Sequence, residues 1–507
     1  MTHEKRIVIV GNGMAATRLV EELVARGGDH QITVLGDEPH PPYNRILLSA
    51  VLEGTHRPEA LTLRAPEWYA EHGVDLRLGS RVLEIDRLRS DVMLVDGTVI
   101  EYDALVLATG SIPTLPPIRG LVRMDGTLHP AVHAFRSLDD CNRLLEALGS
   151  GDGSRDGRQS DLVDHREQPK RAVVVGGGLL GLQVARALSV RGIDTEIVEG
   201  ADHLLRSQVG RTAGRLLARD LKRLGTQVYT GARAVRLSDA DGPGFRIGQL
   251  KELKGRVALT LDTGFTLDTD LVVLTAGGRP STALARRAGL EVRRGIVIDD
   301  RLASVTDPAI HAIGDCAEHG GRTTGFVPPA WEQAGVLAGV LCDEPVKYDG
   351  HRVVARLRAT DLDVAVLGDP ENTEGEIVEM SNPVAGSHRK LVVRDGRIVA
   401  GALVGDLSRI GLITQHFDRR TVLGPTEPGE LLMAERSARP VQLPDDAEVC
   451  NCAGVTAGAI RACSSLEQAR ETTRATTGCG GCADAVRSLL AARPSLGSDS
   501  LAVKGNS

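Results

Sequence analysis

The 507-residue sequence has no excess of basic residues: 60 Lys and Arg stand against 67 Asp and Glu, a formal net charge of −7. A nucleic-acid surface needs a basic footprint, so nucleic acid is not an expected partner. Long apolar runs are also missing. The most hydrophobic segments are short and cut by glycine, whereas a membrane span needs about 20 apolar residues, so no membrane role is expected. The apolar start, residues 6–10, runs straight into Gly11 and is too short for an export signal. The expected location is cytoplasmic, where the 8 cysteines serve metal or redox chemistry more readily than structural disulfides. Aromatics are scarce at 2%, but 42% hydrophobic and 25% charged content are ordinary for a globular chain. Roughly three or four domains are expected, since single cores seldom grow beyond about 250–300 residues.

What is present begins with a repeated unit. Residues 6–10 form an apolar run followed by Gly11, Asn12 and Gly13, a helical pattern to Val24, and a second run at residues 32–35 that ends in Gly36, Asp37 and Glu38. Gly11, Gly13 and Ala16 supply a turn in which backbone N–H groups can approach a pyrophosphate at a helix N-terminus. Asp37, with Glu38 next to it, stands 26 residues after Gly11 and is the first candidate to accept from an adenosine ribose. The unit recurs at residues 172–175, with Gly176, Gly178 and Gly181, a helix to about Leu188 and a strand at 195–198 ending in Glu199. A carboxylate at Glu199 holds a free 2′-hydroxyl and repels a 2′-phosphate, which favours NADH over NADPH. Arg206 and Arg211 lie downstream and could reverse that preference. Either glycine turn alone is weak evidence, because such turns also serve purely structural ends.

Two more segments extend the pattern: residues 104–108 lead into Thr109, Gly110 and Ser111, and residues 309–313 lead into Gly314, Asp315 and Cys316. The order and spacing of these four motifs over residues 6–341 resemble the two-dinucleotide pyridine-nucleotide–disulfide oxidoreductase family. The resemblance implies FAD at the first site, touched by Thr109 and Gly110 at the domain crossover, with Asp315 bonded to the ribityl chain. It implies that Gln183, where the family commonly has a glutamate, faces the nicotinamide and flavin and orients the carboxamide without carrying charge. Trp331, Glu332, Gln333 and Ala334 are expected to open a helix aimed at the flavin's pyrimidine edge. Arg45 is a candidate to neutralise FAD phosphate or flavin charge, an exposed surface arginine being the equal alternative. The disulfide branch of the family is excluded, because no cysteine pair lies near residues 43–49 or in the second nucleotide fold. Cys141, Cys316 and Cys342 read as packing residues.

The C-terminal block carries Cys450 and Cys452, then 26 intervening residues, then Cys479 and Cys482 with Gly480 and Gly481 between them. Four thiolates can hold a [2Fe–2S] cluster, and the glycines let N–H groups point at sulfur. Zinc is the competing occupant, although a zinc knuckle usually has two to four residues inside its first pair, where this chain has one. With Val455 and Thr456 after the first pair, the block resembles the bacterioferritin-associated ferredoxin type of [2Fe–2S] domain. Its spacer is shorter than that type's, which should shorten the first helix. Cys463 reads as a helix-packing residue.

The expected fold class is α/β. Two interleaved Rossmann-like dinucleotide-binding domains bind FAD (residues 1–118 and 271–341) and NADH (119–270, with a flexible insertion at 150–170). A small α/β domain (346–436), a small helical [2Fe–2S] domain (445–493) and a polar tail (494–507) complete the chain. This order, with Tyr43, Asn44 and Arg45 and with Leu403 to Asp406, resembles the electron-transfer part of the assimilatory nitrite and nitrate reductase family. The resemblance implies that NADH gives hydride to FAD and that electrons leave singly through the cluster to the catalytic subunit of a nitrate or nitrite reductase. The four further cysteines of a sirohaem and [4Fe–4S] region are absent from the sequence, so terminal reduction is expected elsewhere. A general ferredoxin or rubredoxin reductase is the rival enzyme, and a redox-sensing NADH- and cluster-binding regulatory protein the rival of another class. A homodimer is left open.

Overall fold

The computed structural model describes residues 4–28, 30–149, 169–239, 257–350, 354–358, 363–433, 443–478 and 480–491. The chain forms two compact units, Met1–Arg436 and Ser437–Ser507. Most of the 150–170 insertion and all of the 494–507 tail lie outside the described residues.

In the first unit, a nine-stranded sheet has a parallel centre in the order Asp307–Ala312, Ala104–Leu107, Lys5–Val10, His30–Leu35 and Asp75–Arg77. These strands are near-continuous apolar runs because both faces are covered; Ile7, Ile9, Leu105, Val106 and Leu107 are fully buried. Helices Met14–Arg26 and Val327–Leu341 pack on each other beside it. A second, five-stranded parallel sheet runs Gln227–Thr230, Asp194–Glu199, Arg171–Val175, Leu271–Leu274 and Val132–Ala134. This corrects the expected boundary at 270/271: Leu271–Leu274 pairs in register with Arg171–Val175, so it belongs to the second nucleotide sheet. An apolar tetrapeptide fits the core of either sheet, and only its pairing decides between them. The chain crosses between the two folds on a short antiparallel pair, Ser111–Pro113 against Gly278–Pro280.

The small domain is a five-stranded antiparallel sheet with helix Ile410–Arg419 against it. It includes an exposed edge strand, Glu376–Asn382, that the sequence pattern did not reveal. A face of this sheet, through Val364, Val366, Ala402 and Val404, shares one apolar core with Leu48, Val51 and Leu52 of the first fold and Leu182, Ala185 and Leu188 of the second. In the second unit, the first helix spans only Ala457–Arg461, followed by Leu466–Thr473 and Ala483–Ala491.

Candidate functional site

Both glycine turns are built so that only glycine fits. Gly11 has φ +111°, and a Cβ there would stand 2.2 Å from the Ala108 carbonyl oxygen. Gly176 has φ +120°, with a Cβ 2.5 Å from the Thr275 oxygen, and a Cβ on Gly181 would meet the Gly176 oxygen at 1.9 Å. These contacts press strand, turn and helix together. Gly13 and Gly178 play the complementary part: each is the N-cap of its helix, and a Cβ on either would enter open space. A phosphate can therefore approach both helix N-termini. Ala16 is fully buried behind the first turn.

The acidic candidates differ. Asp37 is exposed, while Glu38 is tied into a local network: it accepts from Tyr43 Oη at 2.7 Å and pairs with Arg45, whose guanidinium lies 4.8 Å from the Tyr43 ring centroid. Tyr43 Oη in turn accepts from Leu138 N at 2.9 Å, tying this loop to the helix Leu138–Ala147. Arg45 is thus a held side chain. Glu199 has one carboxylate oxygen 2.6 Å from Gly177 N and the other 2.6 Å from Ala201 N, so it braces the glycine turn. Arg211 pairs with Asp202, and Arg206 is exposed.

At the crossover, Thr109 Oγ1 donates to the Ser281 oxygen at 2.8 Å and Ser281 N donates to the Gly110 oxygen at 2.9 Å. Asp315 Oδ2 accepts from Ser111 Oγ at 2.7 Å and from Arg136 Nη2 at 2.8 Å. Ser111 lies in the third motif but was given no role there, and Arg136 escaped the sequence reading; the ion pair joins residues 179 apart and leaves no local pattern. The helix expected to open at Trp331 begins one turn earlier, at Val327, because Pro328 and Pro329 sit in its first turn, where proline loses no hydrogen bond. Glu332 is consequently exposed in mid-helix. Its neighbour Gln333 is the buried side chain here, accepting from Gly314 N at 2.7 Å beside Asp315. Gln183 is half-buried on the helix Leu179–Val190, three residues before Arg186, which reaches Glu53 of the first fold at 3.7 Å. Residues three apart share a helix face, so Gln183 lies on the stripe turned to the first fold.

Cys316 is fully buried and donates to the Leu107 and Ile313 oxygens; burial pushes its thiol up. Burial pushes Cys141 up to about 12. Both behave as packing residues. In the second unit, Cys450 and Cys452 place their sulfurs 3.5 Å apart, and these two and Cys482 are buried. Hydrogen bonds from Cys452 and Cys482 hold the Cys450 thiol below its ordinary range against its burial. Cys479 lies outside the described residues, among which no group of three or more His, Cys, Asp and Glu stands assembled for a metal ion. Cys463 donates to the Ala459 oxygen at 3.3 Å, as a helix-packing thiol would.

The residues present fit the implied groups. Open cradles at Gly13, Gly110 and Gly178 suit phosphate and ring approach, and the buried Asn12 Oδ1 and Trp331 Nε1 have no hydrogen-bond partner among the described residues. The neighbouring sulfurs of Cys450 and Cys452, 3.5 Å apart, suit an iron–sulfur cluster's thiolate ligation.

Residues 5–334 match the family model described as pyridine nucleotide-disulphide oxidoreductase. The chain belongs to that family. Residues 448–492 match the BFD-like [2Fe–2S] binding domain, and residues 354–421 the C-terminal domain of rubredoxin NAD+ reductase. The oxidoreductase is 33% identical over 509 residues to the nitrite reductase [NAD(P)H] of Bacillus subtilis (strain 168), covering 98% of this chain and 58% of that one. It is 31% identical to the assimilatory nitrate reductase electron transfer subunit of the same organism, covering 96% of this chain and 59% of that one. The chain thus spans less than two thirds of either relative. Among solved structures, the covalent putidaredoxin reductase–putidaredoxin complex aligns with a TM-score of 0.71 and 26% identity, over 84% of this chain and 95% of that one. The chain is an NAD(P)H-dependent FAD oxidoreductase with a [2Fe–2S] domain. No helix among the described residues is long and apolar enough to cross a membrane.

Proposed function

We propose that this oxidoreductase draws electrons from NADH, in preference to NADPH, and delivers them to the catalytic subunit of an assimilatory nitrate or nitrite reductase. The observation that carries the proposal is continuous similarity to the two Bacillus subtilis proteins over 96–98% of the chain, including the cysteine-bearing domain. FAD, when bound, would supply the chemistry that splits the two electrons of one hydride into single-electron transfers. Gly11, Gly13, Ala16, Asp37 or Glu38, Arg45, Thr109, Gly110 and Asp315 would hold it. Arg136 would balance the charge on Asp315, and Gln333 would fix the Gly314 turn. Gly176, Gly178, Gly181 and Glu199 would hold NADH, with Gln183 orienting the carboxamide. Glu332, exposed in mid-helix, would act at a distance at most. Cys450, Cys452, Cys479 and Cys482 would ligate the cluster.

The test is anaerobic NADH oxidation coupled to a purified assimilatory reductase subunit from the same source, beside a one-electron dye. Rapid dye reduction without any transfer to nitrate or nitrite reductase would leave the enzyme and remove the partner. A general ferredoxin reductase is the second reading, favoured by the structural likeness to putidaredoxin reductase; preferential reduction of a small ferredoxin would establish it. Slow NADH turnover with every acceptor would instead point to a sensor.

A further inference from the structure

The loop that follows the strand Asp194–Glu199 is fixed along its length. Glu199 accepts from Gly177 N and Ala201 N, and Leu205 N donates to the Gly177 oxygen at 2.9 Å. Leu205 is buried and left-handed at φ 53°, a conformation that a bulky side chain keeps only where its surroundings impose it. Gln208 N and Val209 N both donate to the Leu205 oxygen, at 2.8 and 2.9 Å. His203, 8% exposed, spans the loop: its Nδ1 meets Asp202 Oδ1 at 2.6 Å and its Nε2 the Val209 oxygen at 3.0 Å. The next helix, Arg211–Arg223, passes this ring at Gly214, where a Cβ would stand 2.8 Å from His203 Cδ2. With its backbone held in this way, the loop leaves the choice of coenzyme to its side chains.

Two of those side chains form a pair. Arg211, the first residue of the helix, binds Asp202 Oδ2. Asp202 adjoins Ala201, whose N–H meets Glu199, so the guanidinium arrives beside the carboxylate proposed to hold the ribose. An arginine in that place is what a 2′-phosphate would require, but this one is already engaged. We propose that Asp202 is a specificity-determining residue that disfavours NADPH by holding Arg211. The inference rests on the proposed seating of NADH at the turn from Gly176 to Glu199. Both partners are open to solvent, with 60% of the Arg211 and 41% of the Asp202 side chain exposed. Exposed pairs add little to folding stability, so Asp202 can be replaced without unfolding the chain.

The test is calorimetric titration of the full chain with adenosine 2′,5′-bisphosphate and with ADP, beside stopped-flow reduction of the bound flavin by NADPH and NADH. Asp202→Asn keeps an acceptor for His203 and drops the charge that holds Arg211. It should tighten the bisphosphate roughly tenfold and lower the NADPH dissociation constant to match. The limiting rate of flavin reduction should stay as in the parent, because the 2′-phosphate is remote from the nicotinamide, and ADP binding should change far less. Arg211→Ala should remove the gain when added to Asp202→Asn but shift bisphosphate binding by less than about twofold in the parent background, while Arg206→Ala should leave the gain in place. A gain below about twofold in Asp202→Asn, or one that survives the loss of Arg211, would overturn the proposal. A parent chain that binds the bisphosphate more tightly than ADP would instead overturn the NADH preference beneath it.

Discussion

Replacing Glu199 by Gln tests the double duty of one carboxylate. Its two oxygens each face a backbone donor, Gly177 N and Ala201 N, both at 2.6 Å. An amide of the same shape has one acceptor oxygen, so its NH2 group must meet an N–H. One charge-assisted bond is lost outright and the other is weakened to a neutral one, together about 2–3 kcal/mol, the upper part applying where the stranded donor stays dry. The glycine turn cannot yield to accommodate this: a Cβ on Gly177 would lie 2.9 Å from Glu199 Cβ and 2.6 Å from Leu204 Cδ2, so turn, acid and following loop are in contact. At about 1.4 kcal/mol per factor of ten, the NADH dissociation constant should rise roughly 30- to 140-fold. Loss of the ribose contact should also narrow the preference over NADPH. The assay is stopped-flow reduction of the bound flavin at varied NADH and NADPH, which separates binding from the limiting rate. An NADH dissociation constant within twofold of the parent, with the preference unchanged, would refute both the brace and the ribose assignment.

Gly181→Ala should keep FAD but weaken NADH roughly 10- to 100-fold, because its Cβ would stand 1.9 Å from the Gly176 oxygen and 2.8 Å from Thr275 Oγ1, forcing an overpacked turn apart; parallel loss of both nucleotides in binding titrations would contradict this. Truncation after Gln442 should leave flavin reduction by NADH nearly intact while abolishing reductase-coupled turnover, since all the nucleotide motifs precede that point and the rest forms a separate unit. Single Cys→Ser changes at 450, 452, 479 and 482 should reproduce the truncation with loss of iron and sulfide, whereas Cys463→Ser should retain both; full coupling in the truncated chain would sink the relay. Burial lowers the His311 pKa to about 4. That stability is fully present above the unfolded value near 6.5 and is lost as pH falls towards 4, by about 3 kcal/mol at most. Urea unfolding of the parent and of His311→Leu at pH 7.5 and 4.5 should show a shallower loss in the variant; parallel losses would exclude the histidine as a cause.

Local signals were the legible ones. Glycine spacing located both turns, and the contacts of Gly11, Gly176 and Gly181 explain why. The cysteine pattern located the cluster block, and the lone cysteines were recognisable as packing residues. Signals that depend on distant pairing were not legible. Leu271–Leu274 reads as core wherever it is placed, and only its register with Arg171–Val175 assigns it. The strand Glu376–Asn382 is an exposed edge with little apolar alternation to betray it. Trp331 drew attention as a helix opener, but two prolines admitted the helix a turn sooner. Arg136 reached Asp315 only through the folding of two separate sheets. Gln333, beside the expected Glu332, could have been found by noting that the buried face of an apolar helix contained a polar side chain in need of a partner.

The paired crossover strands have a consequence for engineering. Because Ser111–Pro113 lies antiparallel to Gly278–Pro280, residues 114–277 leave and re-enter the chain side by side, as an inserted cassette does. A donor segment with another coenzyme preference could be spliced at those two tripeptides without stretching either junction. The graft would also inherit an obligation: Leu182, Ala185 and Leu188 on its helix share a core with Leu48, Val51 and Leu52 and with the small domain's sheet. A transplanted cassette must therefore bring that apolar stripe with it, or the recipient loses the surface on which its three parts are fused.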